Sequence, residues 1–237
     1  MTTFVLVHGA WHGGWCWRRV REMLEDRGER VLTPTLTGLG ERAHLLAPEI
    51  DLDTHIRDVV NVLAWEDLSD VVLCGHSYGG MVIAGVADTV PERLASLVYL
   101  DAFVPRDGEA VVDLLLPDRL DSMKADLGQN GDGWRLSPVP AANFGVEAPT
   151  DRDWVDRRCT PQPWATFTAP IRLSGAGARI AKRTFVLAAA YDPSPFQRYA
   201  KMAEREPGWV GRSLPTGHDA MVTMPEALTE LLLEAMP

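Results

Sequence analysis

Cysteine is scarce in this chain: Cys16, Cys74 and Cys159 are the only three among 237 residues. They are odd in number and widely spaced, with no CxxC or Cys/His ligand pattern. That argues against a disulfide framework and against a zinc site, and it points to reduced thiols. Long apolar runs are missing as well. No stretch approaches the roughly 18 residues of a membrane span, and the N-terminus passes almost at once into Phe4-Val5-Leu6-Val7, too short for the apolar region of a signal peptide. The expectation is a cytoplasmic chain with no membrane partner. Positive charge is also in deficit, with 23 Lys and Arg against 33 Asp and Glu and a net charge of −10. A nucleic-acid or anionic-membrane surface needs clustered Lys and Arg, so neither partner is expected. Internal repeats and low-complexity tracts are absent.

What is present is a core-forming composition, 46% hydrophobic, in a length that commonly makes one domain. Short apolar, β-rich runs recur at Phe4 to Val7, Arg30 to Thr33, Val71 to Cys74, Leu97 to Leu100, Thr184 to Ala188 and Trp209 to Leu214. Near-continuous hydrophobicity marks strands buried on both faces, as in a parallel sheet. Helical patterns alternate with them: Trp17 to Asp26, stopped by Gly28; Thr54 to Trp65, with Asp53 as N-cap; Met81 to Thr89; and Pro225 to Ala235, opened by proline. The alternation predicts an α/β fold with a six-stranded, mostly parallel, doubly wound sheet.

From Val104 to Lys182 the rhythm stops, after helical patterns at Glu109 to Leu116 and Asp118 to Leu127. An excursion this long is a functional or subdomain feature more often than a loop. It reads as a cap, residues 104–182, inserted between the fourth and fifth strands, with residues 1–103 and 183–237 forming the core. Trp134, Trp154 and Trp164 lie in it, suited either to a lid over an apolar pocket or to a small core of the cap itself.

The chemistry centres on Gly75-His76-Ser77-Tyr78-Gly79, a Gly-x-Ser-x-Gly placed between a predicted strand and a predicted helix. Such an elbow holds its serine on a strained turn with the hydroxyl exposed, so Ser77 is the candidate nucleophile. A serine hydroxyl needs a base, and histidine titrates in the right range. Of six histidines, His218 is best placed, in the loop Pro215-Thr216-Gly217-His218 between the last strand and the last helix. His8, His12, His44, His55 and His76 read as structural or solvated.

The base needs an acid to fix its tautomer. Asp192, in the strand-then-turn context Ala190-Tyr191-Asp192-Pro193 after the fifth strand, is preferred, and it gives the chain order Ser, Asp, His. Asp101, at the end of the fourth strand, is the alternative. Asp219 adjoins the base, so its side chain points elsewhere. Backbone N–H groups should hold the developing oxyanion. One comes from Tyr78, after the nucleophile, and the other from Ala10 in His8-Gly9-Ala10-Trp11, a loop similar to the His-Gly-led oxyanion loops of lipases and esterases.

Together these segments resemble the α/β-hydrolase branch that holds plant methylesterases, hydroxynitrile lyases and bacterial esterases of the pyrethroid-hydrolase type. The carrying pieces are Phe4 through Trp15, the elbow with Gly80-Met81, Ala102-Phe103-Val104-Pro105, and Gly217-His218 with Met221 and Pro225. The resemblance spans nearly the whole length. It implies an α/β-hydrolase fold, a Ser77, Asp192, His218 triad, oxyanion donors at Ala10 and Tyr78, and no cofactor or metal. Hydroxynitrile lyases of this branch carry threonine where this chain has Ala10, and lysine where it has Asp219. A carboxylate there disfavours a departing anion, and lyase chemistry with it.

The resulting expectation is a serine hydrolase acting on a small or medium, largely apolar carboxylic ester through an acyl-enzyme. The substrate would lie between Trp11, Tyr78, Phe103 and Met221 below and Trp164 and Phe167 above. A thioester or lactone stays open as substrate, as does a ligand-binding protein that uses the fold without turnover. Monomer and homodimer are both open.

Overall fold

The computed structural model describes residues 1–237. Eight strands occur in chain order: β1 (Thr3–Val7), β2 (Arg30–Leu32), β3 (Val71–His76), β4 (Leu94–Leu100), β5 (Arg135–Leu136), β6 (Gln162–Pro163), β7 (Lys182–Ala188) and β8 (Trp209–Leu214). Six of them form one parallel sheet in the order β2-β1-β3-β4-β7-β8, and β5 and β6 form a separate antiparallel pair. The central strand β3 is buried along its whole length, as a strand covered on both faces must be.

Ten α-helices accompany them. Before β4 come α1 (Arg18–Glu25), α2 (Leu52–Trp65) and α3 (Gly79–Thr89). From β1 the chain steps to β2 on one side, then returns past β1 to β3 and on to β4. Right-handed crossovers therefore put α1 on one face and α2 and α3 on the other. Helix α3 buries every residue from Gly79 to Ala87, which explains a helix with so little amphipathic pattern: it is sandwiched between the sheet and α2. Helix α2 begins two residues earlier than its apolar periodicity suggested. Its N-cap is Asp51, whose carboxylate accepts from the Thr54 N–H at 2.9 Å, while Asp53 lies inside the first turn.

Between β4 and β7 the chain builds α4 (Val111–Leu114), α5 (Pro117–Gln129), the β5/β6 pair, α6 (Pro149–Asp156) and α7 (Ala165–Thr168). Helix α4 is a single turn where the pattern suggested two. Leu116 precedes Pro117 and is extended, at φ −70° and ψ 140°, because a residue before proline is pushed out of the helical region. After β7 come α8 (Gln197–Ala203), α9 (Ala220–Thr223) and α10 (Pro225–Glu234). Cys16 and Cys74 are buried, Cys159 is half-buried, and all three are free. No helix is long and apolar enough to cross a membrane.

Candidate active site

The order of the sheet reverses between β1 and β3, and loops leaving the carboxyl ends of adjacent strands part there to form a crevice. Ser77 follows β3 at that point with φ 54°. The turn is possible because its flanks have no side chain: a Cβ on Gly75 would stand 2.5 Å from the Gly79 carbonyl oxygen, and one on Gly79 would stand 2.8 Å from the carbonyl oxygens of Val7 and His8. The strained turn is pinned on both sides. The Ser77 N–H donates to the Leu100 carbonyl at 3.2 Å, and the Ser77 carbonyl accepts from Phe103 N–H at 3.2 Å.

His218 stands opposite, in the wall of the same cavity, a space of about 690 Å³. Its Nδ1 lies 2.6 Å from Oδ2 of Asp101, and Oδ1 of that carboxylate accepts from the Ala188 N–H at 3.2 Å. The preference for Asp192 is thus corrected: Asp101 is the acid on the histidine, and Asp192 is exposed at the cavity rim. The reason is strand register. His76 of β3 pairs with Leu100 of β4, and Leu100 with Val186 of β7. Ser77 and Asp101 are therefore lateral neighbours, each one residue past its strand, and both turn at positive φ, 54° and 40°.

The surroundings set the proton. Phe196 lies flat against the His218 ring at 5.3 Å and 3°, and Tyr191 stacks on it at 4.6 Å. Burial among these rings pushes the His218 pKa down to about 3, despite the nearby Asp219 charge. The resting imidazole is neutral, and with Nδ1 engaged by Asp101 its Nε2 is left for the cavity. Burial also pushes the Asp101 carboxyl upward, against the Ala188 hydrogen bond and the Arg119 charge.

Ala10 and Tyr78 line the cavity beside Ser77, and the backbone N–H groups of both make no hydrogen bond within the protein. Free amide donors in a walled cavity are suited to a developing oxyanion. A serine on a strained turn, a neutral imidazole held by a carboxylate and two unpartnered amides together can carry out acyl transfer.

Of the expected contact residues, Trp11, Phe103 and Phe167 line the cavity. Met221 does not: it is wholly buried in α9, in the core. Trp164 does not reach the cavity wall either; it stacks behind Phe167 with centroids 6.1 Å apart. Trp154 packs edge-on against Trp15 at 5.0 Å, so that ring serves packing between the insert and the body of the protein. Residues that periodicity could not single out complete the wall, among them Leu115, Arg119, Phe144, Tyr191 and Phe196.

Asp219 is turned away from the cavity and has no exposure. Its Oδ2 lies 3.2 Å from His12 Nε2, and His12 Nδ1 is 2.8 Å from the Ala10 carbonyl. Burial opposes charge on His12, but the Asp219 carboxylate and hydrogen bonds to Asp219 and Ala10 outweigh it and raise its pKa. Burial opposes the Asp219 carboxylate in the same way, yet His12 holds it below the ordinary range. The Asp219 carboxylate is thus paired with His12 and does not line the cavity, although its charge still reaches His218. Tyr78, whose ring stacks on Phe167 at 5.7 Å and 4°, has its hydroxyl 3.0 Å from His55 Nδ1, and His55 Nε2 lies 2.9 Å from the Thr37 carbonyl. Burial lowers the His55 pKa. The neutral ring therefore donates to Thr37 and accepts from the Tyr78 hydroxyl.

Comparison with known proteins agrees with this architecture. Over 241 residues the chain is 48% identical to a carbendazim hydrolyzing esterase of Nocardioides sp. (strain SG-4G), covering 98% of each chain. It is 28% identical to a pyrethroid hydrolase of Sphingobium wenxiniae, covering 99% of this chain and 87% of the relative. An extracellular alpha/beta-hydrolase from a Paenibacillus species superposes with a TM-score of 0.83 at 24% identity, covering 100% of this chain and 99% of the other. Residues 4–231 match the profile of the Alpha/beta hydrolase family, and with sheet, elbow and relatives in accord, the chain belongs to that family.

Proposed function

We propose that the protein is a serine hydrolase of carboxylic esters, working through an acyl-enzyme with Ser77, His218 and Asp101 as its triad. Ser77 Oγ attacks the ester carbonyl while His218 Nε2 takes its proton. Asp101 keeps the other imidazole proton on Nδ1 and balances the imidazolium as it forms. The carbonyl oxygen gains charge between the Ala10 and Tyr78 amides. His218 then protonates the departing alcohol, and water, deprotonated by the same nitrogen, releases the acid.

The observation that carries this reading is the 2.6 Å contact between Asp101 and His218 in the cavity that also holds Ser77 and the two free amides. Around Ser77 and His218 the wall carries the aromatic rings of Trp11, Tyr78, Phe103, Phe144, Phe167 and Phe196, with polar residues such as Arg119 and Asn143 elsewhere in the lining, which suits an ester with a flat or apolar body. Kinship to a carbendazim hydrolyzing esterase makes carbendazim, a methyl carbamate on a flat benzimidazole, the first elaborate substrate to try beside p-nitrophenyl butyrate.

Purified protein should release nitrophenol and take a fluorophosphonate label that peptide mapping finds on Ser77. Ser77→Ala should lose both while keeping its thermal transition. Absence of turnover on every short ester, together with absence of label at Ser77, would sink the proposal.

A further inference from the structure

Ala10 N–H is one of the two free amides of the site, and the segment that secures it comes from the insert between β4 and β7. The next residue, Trp11, has φ 64°, a left-handed conformation that a bulky side chain keeps only when the surroundings hold it there. Both backbone groups of Trp11 are gripped by one short stretch of the insert. Its N–H donates to Oε1 of Gln162 at 3.0 Å, and its carbonyl accepts from the Thr160 N–H at 2.8 Å. The Ala10 carbonyl, on the far side of the same peptide plane as the Trp11 N–H, is held by His12 Nδ1 at 2.8 Å. Two consecutive peptide planes just beyond the Ala10 N–H are thereby fixed. If the first were released, Trp11 could relax toward negative φ, and the direction of the Ala10 N–H would change with it.

Gln162 is itself oriented. Its Nε2 donates to Thr166 Oγ1 at 2.7 Å, and that hydroxyl donates to the Pro163 carbonyl at 2.6 Å. Gln162 and Thr166 are both wholly buried. A primary amide is costly to bury unless its polar atoms are satisfied. Here the satisfied arrangement presents the carbonyl end of Gln162, not its NH₂, to Trp11.

We propose that Gln162 is a positioning residue for the oxyanion site: the Thr160–Gln162 stretch clamps Trp11 in its left-handed form, so that the Ala10 amide is aimed correctly only while the insert is docked. This rests on the serine-hydrolase reading above. The two fail differently, since an inactive wild-type protein would refute that reading, whereas an active wild type with an indifferent Gln162 would refute only the clamp.

The test compares Gln162→Met, which keeps length and loses both polar atoms, with Gln162→Glu, which keeps an acceptor oxygen at the same reach. For Gln162→Met, kcat on p-nitrophenyl butyrate should fall about ten- to hundredfold, less than the 10² to 10³ typical of deleting a donor outright, with KM within about threefold of wild type. An aryl trifluoromethyl ketone, whose carbonyl accepts the Ser77 oxygen and becomes a hemiketal oxyanion as His218 takes the proton, should weaken by about the factor lost in kcat/KM. Gln162→Glu should recover most of kcat. Should Gln162→Met fail to fold, Thr166→Val leaves the acceptor in place but frees the amide to rotate, and it should lower kcat in the same sense with KM unchanged. The clamp is refuted if kcat stays within about twofold in the folded variant, or if activity falls through KM while ketone affinity is unchanged.

Discussion

Replacing Asp101 by asparagine isolates the role of the acid without changing its shape, and the local hydrogen bonds dictate what the new amide must do. Oδ1 of Asp101 accepts from the Ala188 backbone N–H at 3.2 Å, and Oδ2 lies 2.6 Å from His218 Nδ1. An asparagine has one acceptor oxygen. The Ala188 N–H is a fixed donor, so the oxygen must turn to it and the NH₂ must turn to His218. Nδ1 then becomes an acceptor, the imidazole proton moves to Nε2, and the nitrogen facing the cavity can no longer take the proton of Ser77. The same tautomer inversion lowers kcat by about 10⁴ in a well-studied serine protease, or about 5.4 kcal/mol at 1.36 kcal/mol per decade. We expect Asp101→Asn to lose about 10³ to 10⁴ in kcat on p-nitrophenyl butyrate, with slow fluorophosphonate labelling and an unchanged thermal transition. Asp192→Asn changes an exposed residue at the cavity rim, so its kcat should stay within about threefold of wild type. The opposite pattern, with collapse in Asp192→Asn and near-normal turnover in Asp101→Asn, would refute the register argument.

Two further outcomes follow from the titrating groups. Burial holds the His218 base far below the ordinary imidazole value of 6.5, at about 3, so the acid limb of kcat/KM should lie well under pH 6.5; a limb centred at pH 7 or above would contradict the aromatic enclosure as its cause. Asp219→Asn leaves the buried His12 imidazolium without its counter-charge, and breaking a buried pair this way costs about 3 to 5 kcal/mol. The His12 pKa is raised above 6.5 when folded, so its contribution is full below pH 6.5 and fades as pH climbs through the raised value. That of Asp219, lowered from 3.8, is present above 3.8 and is lost as pH falls through the lower value. The destabilisation read from urea melts should therefore be larger at pH 6 than at pH 9, and a loss that grows with pH would overturn the assignment of charge to His12.

What could be read from the chain and what could not divides along physical lines. The inner strands β1, β3, β4 and β7 were legible because burial writes itself as short runs of Val, Leu and Phe. The edge strands β2 and β8 are only partly buried, though β8 is observed at the bounds its composition suggested, Trp209–Leu214. The elbow was legible because its backbone tolerates only glycine at two flanks, a constraint visible in five consecutive letters. Asp101 was visible too, as a lone carboxylate ending an apolar strand, but it gives the same chain order of Ser, Asp, His as Asp192, so order could not separate the two. Order along the chain does not report which strand ends lie side by side. That requires the register of β3 on β4, and the informative local signal was the sharp exit from β4 at Asp101-Ala102, one residue past a strand paired to the strand of Ser77. Met221 and Trp164 were misplaced for a related reason: a side chain's type says that it seeks burial, and only packing says against what.

The Gln162 contact is the extreme case. It joins residues 151 positions apart through one hydrogen bond, in a stretch whose prolines and short elements carry no periodicity. Nothing local distinguishes a glutamine that satisfies Trp11 from one that faces water. Its significance comes from where the bond falls, on the peptide next to an amide that must point into the cavity. A hydrolase sheet can position a nucleophile, an acid and a base from its own strand ends, because each follows a strand whose neighbours are fixed. The oxyanion loop after β1 has no such support beyond its first residues, since β2 ends at Leu32 and the pairing of β3 with β1 ends at Val7. Ala10 lies three residues past that last paired position. The rigidity it needs has to come from outside the sheet: from His12, itself paired with Asp219, which holds the Ala10 carbonyl, and from the insert, which holds Trp11.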